Sequence, residues 1–184
     1  MQDHFFIAIP VPIQLRQDIH DKLKMVWNEE DFLKWVHFQD YHITLVFLGA
    51  IEQTQRKTLI EKINKYLINC PSFSLSISHP GIFGREQQPR IYWLGVEECD
   101  ELSRLQNHIK EIARDCGVQV DSRPYQPHLT ISRKWMNQMN FKHKFVPLEE
   151  KTFKVSNVVL FQTIPDREPK YKAVQYMTLG RDNK

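Results

Sequence analysis

Cysteine is scarce and poorly spaced for any shared task. Cys70, Cys99 and Cys116 are three in number and far apart, with no Cys-x-x-Cys pair. That pattern excludes a disulfide framework and a thiolate zinc site, and it points to a reducing compartment. Targeting signals are missing as well. The opening MQDHFFIAIPVP has no basic leader, and its apolar run is too short for a signal-peptide core or a membrane span. A soluble, cytoplasmic protein with no membrane partner is expected, acting as a monomer. A dominant charge is also lacking: 25 basic and 22 acidic residues leave a net +3. This permits an anionic ligand but is far from the field of a protein that coats DNA. No low-complexity tract or linker divides the chain, so residues 1–184 are expected to form one domain.

What is present is a core-sized supply of apolar residues, 41% of 184. A domain of roughly 150 residues buries about 70% of its unfolded surface. HFFIAIP (4–10) reads as a strand closed by Pro10 and Pro12. Residues 13–27 carry Leu15, Ile19, Leu23 and Val26 at helical spacing. YHITLVFLG (41–49) is the next strand. Thr54 is expected to cap a second helix with Leu59, Ile60, Ile63 and Leu67 as its stripe. FSLSIS (73–78) and RIYWLGV (90–96) read as strands around a Gly/Pro-bearing loop. Asp100 is expected to cap a third helix, with Leu102, Leu105, Ile109 and Ile112 inward and Gly117 as its stop. HLTISR (128–133) is a strand, 134–149 is irregular, and 153–162 and 171–180 are the last two strands.

The order of these elements repeats. Strand, helix and strand HITLVFLG match strand, helix and strand HLTISR, and the 36-residue step from Phe6 to His42 equals that from Tyr92 to His128. A strand beginning with phenylalanine, at Phe73 and Phe153, follows each half. Two β-α-β halves predict a bilobal α+β domain with a pseudo-two-fold axis.

The duplication doubles an odd feature. His42 and Thr44 sit two apart on an apolar strand, and His128 and Thr130 do the same in the second half. Residues i and i+2 share a strand face while i+1 and i+3 fill the opposite one. Each His-Thr pair therefore projects away from the core that Ile43, Leu45, Leu129 and Ile131 would build. Across a pseudo-two-fold axis the pairs converge on one cleft. Two histidines flanking a phosphorus centre suit in-line displacement, one ring taking a proton from the attacking hydroxyl and the other protonating the leaving oxygen. An ordinary imidazole pKa near 6.5 lets both forms coexist at neutral pH. Such transfers contribute about 10²–10⁴-fold each. The threonine hydroxyls can hydrogen-bond the non-bridging oxygens. No carboxylate cluster accompanies these histidines, so no metal and no cofactor is called for.

Two His-x-Thr-x motifs 86 residues apart, in a chain of this size, resemble those of the 2H phosphoesterases. FFIAIPVP, WVHFQDYHITLVFLG, GIFGREQQPRIYWLGV, PYQPHLTISR and VVLFQ…YKAVQYMTLG are similar to the RNA 2′,3′-cyclic phosphodiesterases, also called 2′-5′ RNA ligase-like proteins. The resemblance covers nearly the whole chain. It implies two antiparallel-rich sheets flanked by helices around a central cleft. It also implies metal-independent hydrolysis of an RNA 2′,3′-cyclic phosphate to a 2′-phosphomonoester, with His42 as proton donor and His128 as acceptor. The residues alone do not assign those two roles. Weak 2′-5′ joining of RNA, the reverse reaction, is compatible with this chemistry. Two alternatives stay open: the same chemistry on a 2′-5′-linked oligonucleotide or another small cyclic phosphate, and a non-catalytic RNA-binding module.

Arg133 matches an arginine that follows the second motif in that family and suits bidentate phosphate contact. Its odd offset from Thr130, however, points it to the wrong strand face unless a twist, a bulge or the strand end intervenes. Tyr125 and Trp93 can stack on a base or pack in the core, and Trp93 in its apolar strand is read as core. The stretch 133–145 interleaves Arg133, Lys134, Lys142, His143 and Lys144 with Trp135 and Phe141. It reads equally as an edge for an RNA strand and as a solvated loop packing its aromatics downward. DREPKYK (166–172) reads as a hairpin turn.

Overall fold

The computed structural model describes residues 3–144, 146–148 and 152–180. Its strands are β1 (His4–Pro10), β2 (Phe32–Trp35), β3 (His42–Gly49), β4 (Phe73–Arg85), β5 (Gln88–Val96), β6 (His128–Trp135), β7 (Thr152–Val155), β8 (Asn157–Thr163) and β9 (Tyr171–Thr178). The helices are α1 (Ile13–Val26), α2 (Gln53–Leu67) and α3 (Asp100–Asp115). The fold is α+β, with the strands in the order β7-β4-β5-β6-β3-β1-β8-β9 and β2 added beside β6.

Two antiparallel arms make up this order, and they meet at one residue pair, Ile43 with Leu129. One arm runs β3-β1-β8-β9 and the other β6-β5-β4-β7. The units β1-α1-β3 and β5-α3-β6 occupy equivalent places on either side of that junction, as the duplication predicts. Strand registers shift the equivalence by one residue: Pro10 lies opposite His42 and Gly95 opposite His128, so Phe6 corresponds to Ile91 rather than Tyr92. Phe73 and Phe153 are not equivalent either. They belong to β4 and β7, which pair with each other in the same arm.

The helices bury the stripes their spacing demands. Leu15, Ile19 and Leu23 of α1, Leu59, Ile63 and Leu67 of α2, and Leu102, Leu105 and Ile109 of α3 join the core with Phe5, Ile7 and Ile9 of β1. The caps differ from expectation. Glu52 caps α2 in a reciprocal box with Gln55, leaving Thr54 inside the first turn, and Cys99 precedes α3. Asp100 instead complements the helix dipole from within the first turn. Gly117 does end α3, at φ +78°, with Val118 N–H donating to Ala113 O over 3.0 Å.

Three other expectations change. The run between 78 and 90 is the tip of a long hairpin, since β4 continues to Arg85 and pairs with β5. β2 went unread because four residues carry too little periodicity to register. The segment 153–162 divides at Ser156: β7 pairs with β4, whereas β8 pairs with β1 and β9. One residue therefore links the two arms at their far ends. Pro71 also bridges Gly180 there, so the arms curl towards one another around the core.

Candidate active site

Strands β3 and β6 are the inner strands of the two arms, and their outward faces form a cleft of about 710 Å³. His42, Thr44, His128, Thr130, Arg133 and Tyr125 all line it. Ile43, Leu129 and Ile131 are buried away from it, whereas Leu45, expected to face the core with them, is buried but also lines the cleft.

Each imidazole is fixed by the carbonyl two residues before it. His42 Nδ1 lies 2.6 Å from Asp40 O, and His128 Nδ1 lies 2.7 Å from Gln126 O. A carbonyl only accepts, so each Nδ1 carries the proton and each Nε2 is the nitrogen left to work in the cleft. His42 Nε2 lies 3.0 Å from Thr44 Oγ1. In the neutral ring that bond runs from the threonine hydroxyl to nitrogen. No such bond joins His128 to Thr130 among the described residues.

Asp40 does a second job. Its buried carboxylate accepts the backbone N–H groups of Lys170, at 2.7 Å, and Tyr171, at 3.0 Å. This ties the start of β9 to the residue that orients His42. Aromatic rings complete both walls. Phe6 and Tyr171 lie 4.8 and 5.1 Å from the His42 ring, and Phe83 and Trp93 lie 4.9 and 5.9 Å from that of His128. Trp93 is buried and lies directly against Gly81, where a Cβ would stand 2.2 Å from the indole. Only glycine admits the ring there.

Burial in this aromatic setting disfavours the imidazolium. His42 is lowered to about 4, first by desolvation and further by His128 and Arg133, against a partial rise from the Asp40 carbonyl. His128 is lowered for the same leading reason, with Arg133 adding and the Gln126 carbonyl opposing. Both rings are therefore neutral at pH 7.

Arg133 reaches the cleft by the bulge its offset requires. Trp93 opposes Thr130 but Tyr92 opposes Ser132, so β6 carries one extra residue, Ile131. Ile131 and Ser132 are consecutively buried, and Arg133 turns back to the His-Thr face. Arg133 and Tyr171 line the cleft together. β3 has the same irregularity at Leu45, because Ala8 opposes Thr44 and Ile7 opposes Val46. The residue turned outward there is Phe47, 55% exposed and lining the cleft.

Tyr125 donates its hydroxyl to Thr44 O over 3.1 Å, so it links the β6 arm to β3 while its ring lines the cleft. Trp135 and Phe141 turn inward and pack on Phe32 and Trp27, and Lys144 lies over the Trp27 ring. None of residues 134–144 lines the cleft, and residue 145 lies outside the described residues. The segment 166–172 is a hairpin loop, as read, yet it delivers Tyr171 to the site.

The family model described as the 2′-5′ RNA ligase superfamily matches residues 10–167. The chain belongs to the 2′-5′ RNA ligase superfamily. Within it, a Bacillus subtilis protein named RNA 2′,3′-cyclic phosphodiesterase is 35% identical over 178 residues, 95% of each chain. A Geobacillus stearothermophilus protein of the same name is 34% identical over 176 residues, 94% of this chain but 56% of its own length. The chain thus spans little more than half of that relative. The crystal structure of Escherichia coli LigT complexed with 3′-AMP superposes with a TM-score of 0.83 at 24% identity, covering 97% of this chain and 99% of that one. It has the same fold.

The sequence reading missed three residues that line this superfamily member's cleft, Phe6, Tyr171 and Phe47, and Asp40, which orients His42. Asp40 and Gln126 share a legible signal, each standing two residues before a motif histidine. Phe47 was hidden by its apolar neighbours. Among the described residues no helix is long and apolar enough to cross a membrane, and no group of three or more His, Cys, Asp or Glu is placed to hold a metal.

Proposed function

We propose that this chain hydrolyses RNA 2′,3′-cyclic phosphate ends to 2′-phosphomonoesters by two-histidine general acid/base catalysis. The observation that carries the reading is the matched pair of imidazoles, each presenting Nε2 to one cleft and each pinned at Nδ1 by a carbonyl. Water attacks phosphorus opposite the 3′ oxygen. His128 Nε2 takes the water proton, the P–O3′ bond breaks, and His42 Nε2–H delivers a proton to O3′. The donor has to be protonated, and the negative charge of the bound phosphate opposes the desolvation that keeps both rings neutral. The strong desolvation of His42 by itself favours the opposite order to the one the resemblance implies. The bound anion decides between them.

Thr44 and Thr130 give their hydroxyls to the non-bridging oxygens, Thr44 by exchanging His42 for phosphate as its acceptor. Arg133 supplies the cation for the phosphoryl charge. The rings of Tyr125 and the exposed Phe47 offer faces to the base, where stacking is worth about 1–3 kcal/mol. The proposal is of a cytoplasmic monomer working as a single domain without a metal ion, so activity should be unchanged by EDTA.

The deciding assay is turnover of an RNA ending in a 2′,3′-cyclic phosphate, with product analysis for 2′- against 3′-phosphate. A 2′-phosphate product is expected. Turnover only of 2′-5′-linked oligonucleotides would move the substrate, and salt-sensitive RNA binding without turnover would make the cleft a binding module.

A further inference from the structure

Beyond Arg133 the cleft continues into a smaller recess of about 130 Å³ that shares Val36, Arg133 and Tyr171 with it. Lys34 and Lys170 line this recess, Asp40 stands in its wall, and the exposed Glu168 lies at its rim. Lys34 is the cross-strand partner of Arg133 in the β2–β6 pair, which sets their Cα atoms roughly 4.5–5.5 Å apart. Lys170 is held from the other side by its backbone bond to Asp40. The Lys170 pKa is lowered, first by the neighbouring Lys34 and then by burial.

Like charges facing one recess repel, and the Asp40 and Asp166 carboxylates offset that repulsion at Lys170 only in part. Both Asp40 carboxylate oxygens are already taken by backbone N–H groups. Among the described residues none of Lys34, Arg133 and Lys170 is in an ion pair. Three cations face one small recess whose own anions are the Asp40 carboxylate, already hydrogen-bonded, and the exposed Glu168 at the rim, so the two lysine ammoniums suit an anionic group of the ligand.

We propose that Lys34 and Lys170, one step beyond Arg133, bind a second phosphate of the substrate, the one on the 5′ oxygen of the nucleotide that carries the cyclic phosphate. The inference rests on the cyclic phosphodiesterase reading above. A 2′,3′-cyclic phosphate occupies both lower oxygens of its ribose, so the next phosphate along an RNA end can only hang from the 5′ oxygen. The recess has room for a phosphoryl group. The pair of lysines then makes the protein selective for RNA ends over free cyclic nucleosides.

The test compares kcat/KM for a nucleoside 2′,3′-cyclic phosphate with that for the same compound bearing a 5′-phosphate. The wild-type chain should prefer the second by about 10–100-fold, the worth of one charge-assisted contact, and added salt should shrink the preference. In Lys34→Ala/Lys170→Ala the preference should fall to within about twofold, with the substrate lacking the 5′-phosphate changed less than about threefold. The Lys170 backbone bond to Asp40 survives this substitution, and a thermal melt confirms folding. Should the double variant not fold, Lys34→Glu on the exposed face of β2 carries the same comparison. A wild-type chain that turns over both compounds equally well overturns the subsite alone. So does a variant that loses both equally, since the lysines would then serve the reacting phosphate. A wild-type chain that turns over neither compound overturns the cyclic phosphodiesterase reading and the subsite with it.

Discussion

The two arms of the sheet carry the same frame and different tips. In both, a carbonyl at i−2 pins the histidine, the threonine follows at i+2, and a one-residue bulge at i+3 turns i+5 back into the cleft. At i+5 one arm presents Phe47 and the other Arg133. Their cross-strand neighbours diverge too: Ala8 and Pro10 stand beside the first motif, Trp93 and Gly95 beside the second. In the reaction proposed above, the shared part is what fixes the two nitrogens relative to phosphorus, where any error is costly. The unshared part gives the cleft a charged side at Arg133 and an aromatic side at Phe47.

The severest way to break this symmetry is to remove one nitrogen. His42→Ala and His128→Ala should each lower kcat by about 10³-fold or more. They should differ on a cyclic or linear phosphodiester with an activated leaving group such as p-nitrophenolate. The donor variant should regain activity there, because such a group leaves without protonation, and the acceptor variant should not. Rescue of His128→Ala instead of His42→Ala would exchange the two roles. Next in size are the hydroxyls: Thr44→Val and Thr130→Val should each cost about 10²-fold in kcat. A loss confined to KM would place them in ground-state binding.

The i+5 positions sharpen the contrast. Arg133→Ala should cost about 10–100-fold in kcat/KM for any cyclic nucleotide. Phe47→Ala should raise KM about tenfold and leave kcat alone, with Phe47→Trp restoring it. Equal effects on kcat from both positions would show that the arms do not divide their work.

The smallest effect is on stability. The His42 ring titrates near 4 when folded and near 6.5 when free. Between those values the unfolded chain holds a proton that the folded chain refuses. Folded stability from this group is therefore complete above pH 6.5 and lost as the pH falls towards 4, by at most about 3 kcal/mol. His42→Asn should flatten the change in denaturation midpoint between pH 7 and pH 5. An unaltered pH slope would mean that the ring is not desolvated.

Much of this arrangement was legible in the letters because strand parity is local. His42, Thr44, His128 and Thr130 could be assigned to one face without coordinates. The helices were legible by their stripes, while their caps were misplaced by one or two residues, since Glu52 and Cys99 are weak capping letters. What stayed hidden depends on pairing partners. The bulges at Leu45 and Ile131 exist only against β1 and β5, so the sequence could state that Arg133 needed one and could not supply it. Phe47 looked like core for the same reason. The split at Ser156 was invisible because both pieces are equally good strands, and only β4 and β1 competing for them separates the two.

Asp40 holds two parts of the site through two different groups. Its carbonyl steers the His42 ring, and its carboxylate clamps the chain at Lys170 and Tyr171. The carbonyl belongs to the backbone and the carboxylate to the side chain, so Asp40→Ala removes the clamp on the start of β9 while keeping in the chain the acceptor that holds His42 Nδ1.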